Sequence, residues 1–285
     1  MVYVMSVANN SIAEHIMGEE INVKGKTVSL IQSGEYKALF KHIFKKHIVD
    51  SLGLGLNSFM APPVTRFLSP ACRDTRINGL FEELDPSDIT DHLPTLFCEV
   101  LKSAPQLVVE LGTRGGDSTK ALLKAASLSG AKMLSVDIDD CSAAVNDSGY
   151  KDLWRFVQAD DVAFAGEFRN WCEQNGFPSS VDVLFIDTSH EYAHTLQEIK
   201  AWFPLLSDKG KVIFHDTHMG IYFKRKNGCI VKGWDNNRGV IRAIEETLGR
   251  TFDETVPFID LVQGWLVEHQ AHSNGLTILT RVNHG

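Results

Sequence analysis

Residues 108–126 read VVELGTRGGDSTKALLKAA, an apolar run that ends in an acid, passes through a Gly-rich turn and enters a helix-forming segment. The run before the turn is rich in Val and Leu without polar alternation, as a strand buried on both faces requires. Open α/β sheets bind ligands beyond the carboxyl ends of their strands, and glycine lets backbone N–H groups approach a bound molecule. Glu110, Gly112 and Gly116, with Thr113 between them, therefore mark a nucleotide-like site, unless the turn is simply a tight strand-to-helix connection. The glycines fall at 112, 115 and 116, which is not the GxGxxG spacing of pyrophosphate-binding dinucleotide folds. A nicotinamide-dependent oxidoreductase ranks low for that reason.

The same rhythm continues outward from this turn. QLVVEL (106–111), AKMLSVDI (131–138), RFVQAD (155–160), DVLFID (182–187) and KVIFHD (211–216) are candidate strands, most of them separated by enough chain for a crossover helix. A further helix is expected over NRGVIRAIEETLG (237–249), with apolar tail segments at VPFIDLV (256–262) and GLTILTR (275–281). Residues 1–80 lack the alternation. They hold one amphipathic helix, EYKALFKHIFKKHIVDSL (35–52), and a Gly/Pro-punctuated stretch. The expected partition is a mainly helical N-terminal cap or lid over 1–80 and one α/β catalytic domain over 81–285.

Acids recur at the strand ends. Asp137 closes the second strand, where a carboxylate accepts the two hydrogen bonds of a ribose diol, and Asp160 and Asp161 close the third, placed for an adenine amino group. Asp187 and Asp216 end the fourth and fifth strands, and neighbouring parallel strands bring both to one sheet edge. Paired carboxylates suit a hard cation such as Mg²⁺. His190 lies three positions after Asp187, and His215 directly precedes Asp216. A cation beside a substrate hydroxyl lowers its pKa, and a nearby imidazole accepts the proton. Each acid taken alone is as readily a helix cap. His194, His218, His269 and His272 read as surface or internally satisfied residues.

The chain has 285 residues, 44% hydrophobic and 22% charged, with a formal net charge of -8, the balance of a soluble globular protein. No polyanionic partner such as nucleic acid is indicated, and a small-molecule substrate is expected. Cys72, Cys98, Cys141, Cys172 and Cys229 form no metal-ligand spacing and read as free thiols. The N-terminus lacks a secretory pattern, and no apolar run reaches the ~20 residues of a membrane span, so a cytoplasmic enzyme is expected.

Residues 106–216 resemble the class I S-adenosylmethionine (SAM)-dependent methyltransferases, and the turn ELGTRGG…S is similar to that of the catechol-type O-methyltransferases. The resemblance implies a doubly wound, mostly parallel, seven-stranded Rossmann-like sheet. It implies SAM as cofactor, with Glu110 and Gly112 lining the methionine portion, Ser118 meeting its carboxylate, Asp137 holding the ribose and Asp160 near adenine. Arg114 stands where many methyltransferases have another Gly. The stretch 181–218 resembles the family that includes the cephalosporin-hydroxylase-like proteins and the macrolide-sugar (mycinamicin-type) O-methyltransferases. By position Asp187 and Asp216 become metal ligands, Asp187 facing the cofactor as well. His190 becomes the general base, and His215, where the sugar enzymes have Glu, stands as a third ligand. The implied activity is methyl transfer to a hydroxyl of a sugar, polyketide or other natural product, assisted by Mg²⁺ or another divalent cation. A non-methylating SAM-binding relative is the other reading. Residues 218–237, with Tyr222 and Trp234, are expected to form a substrate lid together with the cap. The resemblance leaves a homo-oligomer open.

Overall fold

The computed structural model describes residues 89–145, 148–150, 152–218, 222–224, 230–232 and 236–282. The expected cap over 1–80 and Trp234 lie outside the described residues. Within them the main elements run α1 (Leu93–Ser103), β1 (Leu107–Leu111), α2 (Asp117–Ser129), β2 (Lys132–Asp137), β3 (Trp154–Gln158), α3 (Asp161–Asn175), β4 (Val181–Ile186), α4 (Tyr192–Trp202), β5 (Leu206–His215), β6 (Tyr222–Lys224), β7 (Ile230–Lys232), α5 (Gly239–Leu248), β8 (Phe258–Val262), β9 (Trp265–Gln270) and β10 (Leu276–Arg281).

The main sheet has the order β3-β2-β1-β4-β5-β10-β9-β8, and β6 pairs with β7 in a separate ribbon. Strands β1 to β5 are mutually parallel, while β10, β9 and β8 close the sheet in antiparallel fashion. The doubly wound α/β class is as the sequence predicts, but the sheet has eight strands rather than seven. The added strand is β9, whose WLVEHQ mixes charged and apolar side chains and so lacks the run that marks the parallel strands. It is joined to β8 through Gln263 (φ 49°) and Gly264 (φ 79°), two left-handed residues of the kind a tight hairpin needs.

Alternation along the strands splits the core between the two faces of the sheet. Val108, Met133, Val183, Phe185 and Ile213 pack with buried side chains of α1 and α2 on one face. Val109, Leu134, Leu184, Val212 and Phe214 pack with those of α3, α4 and α5 on the other. Both faces being covered explains why these strands are apolar throughout. Among the described residues no helix is long and apolar enough to cross a membrane.

Candidate functional site

Register fixes the site. Leu111 pairs with Val136 of β2 and with Ile186 of β4, and Ile186 pairs with Phe214 of β5. Gly112, Asp137 and Asp187 directly follow these positions and Asp216 follows one residue later, so all four emerge at one rim of the sheet. Backbone bonds extend the pairing there: Gly112 N–H donates to Val136 O at 2.9 Å and Asp187 N–H to Leu111 O at 2.9 Å.

Glu110 does not reach this rim. Its side chain is fully buried, and it accepts hydrogen bonds from the hydroxyls of Ser118, Thr119 and Ser135, each at 2.7 Å. Burial pushes its carboxyl up to about 7 against the pull of the three hydroxyls. Ser118, expected at the cofactor's carboxylate, is buried and commits its hydroxyl to Glu110. This pair ties the start of α2 to β1 instead of facing a ligand. Thr113 is also buried, and its N–H donates to Asp137 Oδ2 at 2.7 Å. Gly116 caps α2 at φ 82°, where an added Cβ would lie 2.8 Å from the Ala144 side chain.

A cleft of about 310 Å³ opens at the rim, lined by residues 112, 114, 136–138, 159–161, 187–189 and 194. That size falls within the range of small-molecule sites. Asp137 lines it while accepting backbone N–H groups from Thr113, Arg114 and Asp139. Burial opposes ionisation there, but these N–H donors hold the carboxyl below its usual range. Asp160 also lines the cleft. It caps α3 as well, its Oδ1 accepting the Ala163 N–H at 2.8 Å.

The predicted chemical residues converge beside the cleft. His190 Nε2 lies 2.9 Å from Asp187 Oδ1 and 3.1 Å from Asp216 Oδ2, while His215 Nδ1 lies 3.2 Å from Asp187 Oδ1. Burial works against charge on Asp187, yet His215 and His190 hold it well below the usual carboxylate range. The same contacts, with Asp216, raise His190 although burial opposes protonation. His190 (φ 59°) and Asp216 (φ 54°) both adopt left-handed backbone, a costly conformation for non-glycine residues that clusters at functional sites. Asp187, His190 and Asp216 have ligand-type atoms within 4.8 Å of one another, and the two carboxylates are the donors that suit a divalent cation. His215 is held to Asp187 by Nδ1, which makes it a partner of the carboxylates.

A second cluster was not anticipated. His194 on α4, read from sequence as an isolated residue, lines the cleft with Nε2 at 3.2 Å from Asp161 Oδ1. Behind it the fully buried Glu198 accepts the Thr188 hydroxyl at 2.7 Å, and its Oε1 lies 3.7 Å from His194 Nε2. These ligand atoms also lie within 4.8 Å of one another. Burial and the neighbouring Asp161 carboxylate raise Glu198 well above its ordinary value. Asp161 stays low, burial being outweighed by His194 and Glu198. The upward shift favours the neutral form of Glu198. Glu198→Gln keeps one acceptor and one donor, and is expected to stay within about 1 kcal/mol of the parent, whereas Glu198→Ala should lose about 2–4 kcal/mol. Equal losses in urea unfolding would show that Glu198 is ionised in the fold.

Comparison with known proteins bears on the fold. Residues 109–217 match the family model described as a methyltransferase domain. An O-methyltransferase from Bacillus cereus in complex with SAH superposes with a TM-score of 0.50 at 14% identity, over 78% of this chain and 98% of that one. The O-methyltransferase TomG from Streptomyces achromogenes, involved in tomaymycin synthesis and solved with SAM, gives 0.49 at 13% identity over 74% and 91%. MycE, a methyltransferase of the mycinamycin biosynthetic pathway in complex with Mg and SAH, gives 0.38 at 19% identity over 53% of this chain and 39% of that chain. No curated protein sequence matches the chain. The chain thus shares the fold of the Bacillus cereus O-methyltransferase, and the methyltransferase-domain match spans residues 109–217.

Proposed function

We propose that the chain is a SAM-dependent O-methyltransferase that methylates a hydroxyl of a small molecule, with a divalent cation held by Asp187 and Asp216. One observation carries the reading: His190 Nε2 sits between two strand-end carboxylates, 2.9 Å from Asp187 and 3.1 Å from Asp216, at the edge of a cleft that Asp187 also lines. The cleft suits SAM: Asp137 offers a carboxylate for a ribose diol, Ile138 an apolar surface, and the Asp160 and Asp161 pair acceptors for an amino group. When bound, SAM supplies a sulfonium methyl and the cation lowers the pKa of a coordinated hydroxyl.

The chain's own residues position and deprotonate. Nε2 is the His190 ring atom turned toward the carboxylates, so it is the atom that meets a hydroxyl brought to them. Nε2 would take the proton of the substrate O–H, so that the oxygen could accept the methyl group a bound SAM would supply, with the sulfide as leaving group. In-line approach makes positioning as large a contribution as basicity. A substrate with two adjacent oxygens, such as a sugar diol, would satisfy both carboxylate-bound positions at once.

Calorimetric titration with SAM, with and without Mg²⁺, tests the cofactor; no binding in either condition overturns the reading. Asp216→Asn is expected to bind SAM normally and to lose turnover on a panel of hydroxylated small molecules. Full activity in that variant removes the metal role, and SAM binding by the parent without transfer to any acceptor supports the non-methylating alternative.

A further inference from the structure

His194 and Glu198 stand one helical turn apart on α4, at the i,i+4 spacing that puts two side chains on one face, and Asp161 is the first residue of α3. His194 Nε2 lies 3.2 Å from Asp161 Oδ1 and 3.7 Å from Glu198 Oε1, and all three residues have a ligand-type atom within 4.8 Å of the others. Tetrahedral zinc holds its nitrogen and oxygen ligands at about 2.0–2.2 Å, which places neighbouring ligand atoms roughly 3.3–3.6 Å apart. The cluster already has that scale.

The carboxylates themselves point to a ligand. Asp161 is buried and Glu198 fully so, and among the described residues neither Asp161 Oδ2 nor Glu198 Oε2 has a hydrogen-bond partner. Two neighbouring buried acids with an unsatisfied oxygen on each carry a desolvation cost. A divalent cation removes it: two carboxylates balance its charge, and an imidazole completes the mixed nitrogen and oxygen set that Zn²⁺ takes. Mg²⁺ suits this set less well, because it prefers oxygen ligands and keeps its waters. The Thr188 hydroxyl, donating to Glu198 Oε1 at 2.7 Å, orients that carboxylate from outside the cluster. We infer that Asp161, His194 and Glu198 are the three protein ligands of a Zn²⁺-class cation, at a site separate from Asp187 and Asp216. His194 lines the cleft with 26% of its side chain exposed, which gives the ion a path in. Asp160, exposed on the same cleft, is left as the acceptor for an amino group. The ion would tie α3 to α4 beside the cleft whether or not SAM is bound.

Asp216→Asn is the background for the test, because it takes a carboxylate away from the other group. Calorimetric titration of this full-length variant with Zn²⁺ alone is expected to show one saturable site. Adding Glu198→Gln or His194→Ala should weaken that site about 100-fold or more, at or above the top of the range for disturbing a ligand's outer partner. Glu198→Gln is the sharper change. A proton shared by the two carboxylates would also quiet the pair, and Gln mimics the protonated acid while giving up the charge that a cation needs. Its thermal melt without metal should stay close to that of the background, so that lost binding is not misfolding. If it does not fold, His194→Ala, at a partly exposed position, carries the test. Zn²⁺ affinity unchanged in a folded Glu198 or His194 variant, or no Zn²⁺ binding by the Asp216→Asn protein, overturns the assignment. Either result leaves the methyl-transfer reading to its own SAM titration.

Discussion

A His190→Gln variant is expected to lose roughly 10²- to 10⁴-fold in turnover, the range associated with a positioned general base, while its affinity for SAM stays near that of the parent. Gln keeps a polar atom in reach of Asp187 and Asp216 but accepts no proton from the substrate. The parent should become more active as pH climbs through the His190 pKa, because only the neutral ring is a base. That rising limb should vanish in the variant. The direction follows from the geometry: Asp187 at 2.9 Å and Asp216 at 3.1 Å raise His190 against the effect of burial, so in the metal-free protein the ring holds its proton to higher pH than an exposed histidine. Steady-state rates across pH, with SAM affinity measured in parallel, decide the matter. A variant with the parental rate and the same pH profile would place the base elsewhere.

Much of this arrangement was legible in the sequence, for reasons that differ from residue to residue. Parallel strands covered by helices on both faces must be apolar along their whole length, so QLVVEL and DVLFID announce themselves. Asp137 is the last residue of β2, and Asp187 and Asp216 directly follow β4 and β5, so parallel register carries all three to one rim. Glu110 follows the opposite logic: it is still inside β1, paired with Ser135 of β2 and Phe185 of β4, so its carboxylate turns into the protein. The motif gives its position and leaves its direction open. His194 and Glu198 became part of the site only because α3 and α4 pack side by side and bring Asp161 to them, a contact that no local spacing encodes. Strand β9 escaped notice because an antiparallel strand near the sheet edge tolerates charge where a central parallel strand does not.

Gly112→Ala is expected to cost about 3–5 kcal/mol of stability, at the upper end for a single substitution, and to abolish SAM binding in whatever protein remains folded. Two effects add. Gly112 sits at φ 86°, where any side chain is strained by about 1 kcal/mol or more. A Cβ there would also stand 2.1 Å from the carbonyl oxygen of Asp187 and 2.7 Å from its carbonyl carbon. Neither backbone can move aside cheaply, because Gly112 N–H is bonded to Val136 O and Asp187 N–H to Leu111 O, both at 2.9 Å. Relief would have to come from pushing the end of β4 outward, which displaces Asp187 from His190 and from the cleft it lines. Gly115→Ala supplies the control in the same turn: an added Cβ meets nothing within 4 Å, so its stability should stay within about 0.5 kcal/mol of the parent. Denaturant unfolding of the two variants makes the comparison direct. If Gly112→Ala matched Gly115→Ala, the close approach of β1 to β4 would not be what seats Asp187, and the route by which this turn shapes the chemical site would have to be sought in the Asp137 contacts instead.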